Sequence, residues 1–303
     1  MLSPNASEHA GLTEEAVLFS EAILYLGEER RALALLRAIM PDVAPGTDRG
    51  LYRRAVNMLG VACFALGELE EANSALHVAL DLATQDDDAL LLAQATNNLG
   101  TIASLQGRHE VALSHYRVAI PTLQRIGQPQ RLANVYHNIG ITLRATGDLE
   151  QADEHERRAI EYATGSDVPR LAAMGRTGRA EIALRRGDAP LAETTARLVI
   201  DELRQLGDPL NEADAHRVVG AACAAQQRYD DALLSFSRAL EIAHEHGHAL
   251  NEAEVLRDRV DVRVRRAERA LALDDARASL AIFERLGARA ECDALRERIA
   301  TLA

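Results

Sequence analysis

Apolar positions recur along the chain with a period of 40 residues, and inside each period they fall on helical spacing. One alanine series marks the register: Ala32, Ala72, Ala112, Ala152, Ala192, Ala232 and Ala272. From each alanine the apolar positions follow at intervals of 4, 4 and 3, as in Ala112, Tyr116, Ile120 and Leu123, which is one stripe of a helix. Five residues before each alanine stands a junction position: Gly27, Gly67, Gly107, Gly147 and Gly187, continued by Gln227 and Ala267. Seven residues before each junction the side chain is again small, at Ser20, Gly60, Gly100, Gly140, Ala180 and Gly220, lapsing to Val260. A second helical stretch precedes each junction, and glycine followed by a polar residue suits a tight helix–helix turn. Pro129, Pro169 and Pro209 share one phase, where each first helix should begin.

Each period therefore reads as a helical hairpin that buries its apolar stripe only against its neighbours. The pattern predicts an all-α solenoid of seven antiparallel hairpins over residues 12–287. Residues 1–11 are expected to be a flexible N-terminus, and 288–303 a capping helix with Leu295, Ile299 and Leu302 on one side. Where Ala180 and Val260 replace glycine, a looser contact between the two helices is expected.

Composition narrows the function classes. Apolar residues make up 48% and aromatics 3%, with no Trp, so the core is built from Ala, Leu, Ile and Val in close-packed helices. All 34 basic residues are Arg. Without lysine there is no P-loop lysine, kinase strand lysine or Schiff base. Heavy use of Ala and Arg points to a high-GC bacterial genome. The net charge of −12 argues against a nucleic-acid partner held by phosphate contacts. Cys63, Cys223 and Cys292 are odd in number and far apart, which suits a reducing cytoplasm. The N-terminal stretch has neither the basic start nor the apolar run of a secretory leader, and no segment has the length of a membrane span.

The motif Leu59-Gly60, Gly67, Ala72, Ala79-Leu80 recurs as Leu99-Gly100, Gly107, Ala112, Ala119-Ile120 and as Ile139-Gly140, Gly147, Ala152, Ala159-Ile160. It resembles the tetratricopeptide repeat (TPR), in the 40-residue version of the Pins, kinesin-light-chain and bacterial MalT and Rap superhelices. The resemblance implies a right-handed superhelix whose first helices line a concave groove, and a non-catalytic scaffold that binds a protein or peptide segment there. The alternative is a ligand- or peptide-sensing receptor module of a bacterial regulatory system that acts on a separate partner. Carried onto this chain, the groove positions are Arg54, Asn57, Gln94, Asn97, Asn98, Thr101, Asn134, His137, Asn138, Arg144 and Arg217. The asparagines stand out, because Asn is a poor mid-helix residue whose amide both donates to and accepts from an extended peptide backbone. The chaperone-type carboxylate clamp is excluded, since it needs lysine. Charge is uneven: residues 1–100 carry 6 Arg against 15 acids, and residues 101–200 carry 13 against 11.

The remaining chemistry is weak. His244, His246 and His248 alternate near Gly247 and read as a solvated helix end rather than a metal site. Cys63 and Cys223 occupy a packing phase. Glu156 falls on the apolar stripe, where a deliberate buried carboxylate is one reading and a local shift in helix rotation or solvent access the expected one. Asp86, Asp87 and Asp88, and the run Arg263, Arg265, Arg266 and Arg269, read as solvated faces. No metal, cofactor or membrane partner is implied, no enzyme is expected, and pairing of two arrays into a homodimer is left open.

Overall fold

The computed structural model describes residues 4–25, 28–43 and 48–302, with side chains from Thr13 onward except Tyr25. Among them are fifteen helices and no strand. In chain order they are α1 (Pro4–Tyr25), α2 (Glu29–Ile39), α3 (Arg49–Ala65), α4 (Leu69–Gln85), α5 (Ala89–Leu105), α6 (His109–Arg125), α7 (Pro129–Thr146) and α8 (Leu149–Gly165). They continue as α9 (Pro169–Arg185), α10 (Ala189–Leu206), α11 (Pro209–Ala225), α12 (Tyr229–His246), α13 (Ala249–Arg265), α14 (Arg269–Arg285) and α15 (Arg289–Leu302). The first fourteen pair into seven hairpins, repeats 1 to 7 below. Helix α1 already begins at Pro4, within the segment expected to be flexible. Gly27, the first expected junction, lies outside the described residues.

The later junctions fall where the pattern puts them. Gly67, Gly107, Gly147 and Gly187 turn the chain with φ between 75° and 88°, and Gln227 and Ala267 hold the same left-handed conformation at 63° and 61°. The turns between hairpins use the same device at Asp87, Gly127, Asp167, Gly207, Gly247 and Gly287. A left-handed residue therefore closes a helix every 20 residues from Gly67 to Gly287. Aspartate side chains at 48, 88, 148, 188 and 208 accept the backbone N–H three residues on and so cap the helices that follow. Pro129, Pro169 and Pro209 each open a helix.

All seven phase-matched alanines have no solvent exposure. The small positions are buried because a large side chain from the second helix lies on them. A Cβ at Gly60 would stand 2.7 Å from Leu76, one at Gly100 2.6 Å from Tyr116, and one at Gly220 2.6 Å from Phe236. In repeats 5 and 7 the expected loosening does not occur. Ala180 and Val260 are 1% and 2% exposed, and the residues in register with the large side chains shrink to Ala196 and Ala276, both fully buried. In repeat 7 the larger Val260 is offset by the smaller Ala276, so the pair still packs closely.

Odd-numbered helices from α1 to α13 touch their odd neighbours as well as their hairpin partners, whereas even-numbered helices do not pack on one another to that extent. The odd helices form an inner layer and the even helices an outer one. The two ends of the array also meet. Gly67 lies against Leu286, Gly287 against Leu69 and Gln106, and Gly247 against Arg30. A cavity of about 610 Å³ separates repeats 1 and 2 from repeats 6 and 7 along this seam. Helix α15 covers the last hairpin with Cys292, Leu295 and Leu302.

Candidate ligand groove

The inner helices present one residue per repeat at each register. Ten residues before the junction the series from repeat 2 to repeat 7 is Asn57, Asn97, His137, Thr177, Arg217 and Arg257. The groove thus changes from amides to ions along its length.

In repeats 2 to 4 the amides meet. Asn138 Nδ2 donates to Asn97 Oδ1 at 3.0 Å and to Thr101 Oγ1 at 3.3 Å, and so joins α7 to α5. Asn97 Nδ2 points at Asn98 Oδ1 at 3.5 Å. Among the described residues no partner takes up Asn98 Nδ2 or Asn138 Oδ1, and Asn57 Oδ1 is buried without one. Asn134 is exposed. Asn57, Gln94, Asn97, Asn98 and Asn134 line a cavity of about 180 Å³. Asn97, Asn98, Thr101, Asn134 and Asn138 line a second of about 200 Å³ beside it. Arg131, which the sequence reading did not single out, closes the first cavity and lies within reach of the Gln94 amide oxygen. Its place three residues before Asn134 and seven before Asn138 is helical spacing on the same face. Arg54 stands apart, exposed and paired with Glu21 at 2.6 Å.

At the centre His137 Nδ1 lies 2.9 Å from Glu156 Oε2. Glu156 has no solvent exposure, so the expected outward rotation does not occur. Glycines make the room: a Cβ at Gly140 would lie 2.7 Å from Glu156 Oε1, and one at Gly178 closer still. That oxygen has no partner in the fold. Burial pushes the Glu156 carboxyl above its ordinary range, against the opposing pull of His137. Burial alone would lower the His137 imidazole, but the charge and hydrogen bond of Glu156 outweigh it and hold the imidazole above its ordinary value. The bond to Glu156 fixes the ring.

Beyond His137 the face is ionic. Glu181 bridges Arg144 and Arg217. Arg217, 6% exposed, also binds Asp214 at 2.8 Å and Asp258 at 3.0 Å. Arg257 continues the chain of pairs to Asp258 at 2.9 Å and Glu291 at 3.0 Å. Burial raises the Glu181 carboxyl, but Arg144 and Arg217 more than reverse this and hold it down at about 2. Two of the expected groove residues, Arg144 and Arg217, thus belong to an internal network rather than to the amide cluster.

The other candidates settle into structural places. Cys63, Cys223 and Cys292 are buried thiols, and burial pushes Cys63 up to about 12. Cys63 lies near Glu68 and Glu71, but Arg37 binds both carboxylates. His244 pairs with Glu252 at 3.0 Å, and His248 accepts the Asn251 N–H at 3.3 Å. Of the expected solvated faces, Asp87, Arg265, Arg266 and Arg269 are exposed, while Asp86, Asp88 and Arg263 are half-buried, and most of these charges are also paired. Asp86 and Asp88 bind Arg53 at 3.0 and 2.9 Å. Arg263 binds the buried Asp275 at 3.0 Å, Arg266 binds Asp230 and Glu268, and Arg269 donates to the Leu302 carbonyl. In that run Arg265 alone has no partner among the described residues. No helix among the described residues is long and apolar enough to cross a membrane.

The family model of the MalT-like TPR region matches residues 58–295. A search of the curated proteins found no match. Similar solved structures include the Rap conjugation gene regulator of plasmid pLS20 in complex with the Phr* peptide, at 15% identity and a TM-score of 0.77 over 94% of this chain and 77% of that one. A Rap protein complexed with competence and sporulation factor gives 15% identity and a TM-score of 0.69 over 94% and 80%. NprR in complex with its cognate peptide NprX gives 12% identity and a TM-score of 0.65 over 97% and 84%. At these identities the likeness is one of fold.

Proposed function

The chain belongs to the family of MalT-like TPR regions, and from that premise we propose that it is a non-catalytic, cytoplasmic peptide receptor whose groove holds an extended segment over repeats 2 to 4. The observation that carries the reading is the amide cluster. Asn57, Asn97, Asn98, Asn134 and Asn138 gather around two adjoining cavities, with donors and acceptors left uncommitted. An extended peptide offers alternating N–H and C=O groups, which such amides satisfy from both sides. The peptide-bound state of the Rap and NprR structures supports the same reading.

A sensor is favoured over a passive scaffold by the seam between the array ends. Leu286 against Gly67 and Gly287 against Leu69 are contacts that any change of superhelical pitch would open or tighten. A ligand bridging several inner helices biases that pitch, and so has a way to signal to a separate partner.

Native mass spectrometry of the chain purified from its own cells tests the reading. Adducts of peptide mass that leave on mild activation are expected. A chain that carries no peptide from those cells, and takes none from their culture fluid, contradicts the proposal.

A further inference from the structure

The inner face of repeats 5 to 7 carries a cavity of about 530 Å³ that lies away from the amide cluster. Its floor is a dip in repeat 6, where Ala221, Ala224 and Ala225 stand in register with Glu181, Leu184 and Arg185 of repeat 5 and with Asp261, Val264 and Arg265 of repeat 7. Arg185 and Arg265 are therefore register mates on either side of an alanine.

The charges around the cavity do not cancel. Its lining holds three acids, and each is already bound. Glu181 bridges Arg144 and Arg217, Asp258 bridges Arg217 and Arg257, and Asp261 binds Arg298. Arg265 is exposed and has no partner, and the one hydrogen bond of Arg185 goes to the Arg144 carbonyl at 3.1 Å. Two guanidinium groups without carboxylates thus flank an apolar floor, in a chain whose net charge is −12.

The rim adds a second sign. Gln227 lines the cavity with φ at 63°, where all five earlier repeats have glycine. A side chain there is held against its own backbone preference, and the Gln227 side-chain amide has no partner among the described residues.

We propose that this cavity binds a carboxylate of the peptide, held between Arg185 and Arg265 over the alanine floor with Gln227 as a further donor. Guanidinium forks suit carboxylate oxygens, binding them through two parallel N–H donors. The proposal rests on reading the concave face as a peptide groove. The carboxylate comes either from an acidic side chain or from the peptide C-terminus.

Calorimetric titration of the full chain at low salt separates these sources. The probes are acetylated hexaglutamate amide, with side-chain carboxylates only, and acetylated hexaserine with a free C-terminus, with a terminal carboxylate only. Acetylated hexaserine amide is the reference. At least one carboxylate peptide is expected to bind more than tenfold tighter than the reference, and which one identifies the source. Arg185→Gln and Arg265→Gln should each weaken that binding about tenfold. The melting curve should be unchanged for Arg265→Gln, since Arg265 has no partner among the described residues, while Arg185 also donates to the Arg144 carbonyl and adds to the positive charge around Glu181. Arg277→Gln, an exposed arginine on α14, should leave it as it is. Equal binding of all three peptides, or carboxylate binding that survives the double Arg185→Gln, Arg265→Gln change, overturns the proposal. If a cellular peptide co-purifies while these titrations fail, the groove reading stands and the carboxylate site falls. If the titrations succeed while no peptide is carried from cells, the reverse holds.

Discussion

Repeats 2 to 4 and repeats 5 to 7 use the same registers of the same helices for opposite purposes. At the position of Asn57 and Asn97, the later repeats place Arg217 and Arg257. The amides bond weakly among themselves and leave groups free for a ligand. Arg217 is 6% exposed and takes up Glu181, Asp214 and Asp258, so little of its charge remains to offer. A polar concave face is therefore not by itself a binding face. What separates the halves is whether hydrogen-bonding capacity is consumed inside the fold.

The sharpest way to break this comparison is to remove one residue from each half. Arg217→Met strands Asp214 and leaves Glu181 to Arg144 alone and Asp258 to Arg257 alone, and it should cost about 3–5 kcal/mol, because it removes the central member of a buried network. Asn97→Ala should cost only about 0.5–1.5 kcal/mol, the net worth of an ordinary hydrogen bond. Denaturant melts read both. Equal losses would mean that the two halves are not different in kind.

Acid sharpens the contrast. The folded Glu181 carboxyl lies at about 2 against an ordinary 4.5. A depressed carboxyl contributes stability above its unfolded value and loses it as pH falls toward the folded one. Stability should therefore decline from pH 4.5 toward 2 through this residue, and Glu181→Gln should flatten that part of a pH series of melts. A variant whose slope matches the wild type would remove Glu181 from the account.

Smaller effects test the frame that both halves share. Ala152→Leu should overpack a site with no exposure and cost about 1–3 kcal/mol. A loss near zero would place that alanine outside the helix contact. Gln227→Gly should relieve a left-handed backbone and raise stability by about 1 kcal/mol. No gain would show that the turn carries no strain.

At the boundary between the halves, NMR titration of His137 should place its pKa above the ordinary 6.5. The stabilising pull of Glu156 on the charged ring is complete below the unfolded value and is lost as pH rises through the folded one. Glu156→Gln removes the largest groups that raise the ring and leaves burial and Arg144 against the smaller pull of Asp214, so the titration should move down. An unmoved titration would uncouple the pair.

The frame was legible because every repeat states it. Seven alanines in one register predicted seven buried alanines, and the junction positions predicted the turns from Gly67 to Ala267. The site was legible only in part. The asparagines of repeats 2 to 4 announce themselves as poor helix formers, and the structure gathers them around two cavities. Arg144 and Arg217 sit at groove positions too, but what they bind depends on acids up to 41 residues away in sequence. Single positions on a repeat carry no record of such cross-repeat pairing. Glu156 was misread because a carboxylate on an apolar stripe has two outcomes. The choice between them was made by Gly140 and Gly178, on two other helices, which clear space for it. The seam between the array ends follows from the accumulated rotation of many repeats, which no one repeat encodes.

The central claim is that the uncommitted amides of repeats 2 to 4 hold the ligand. The most direct test is native mass spectrometry of bound peptide on wild type and on Asn97→Ala with Asn98→Ala, both purified from the same cells. The account predicts that the double variant retains at least tenfold less peptide while its helicity is unchanged. Equal retention by the two proteins would contradict it and move the ligand elsewhere on the array.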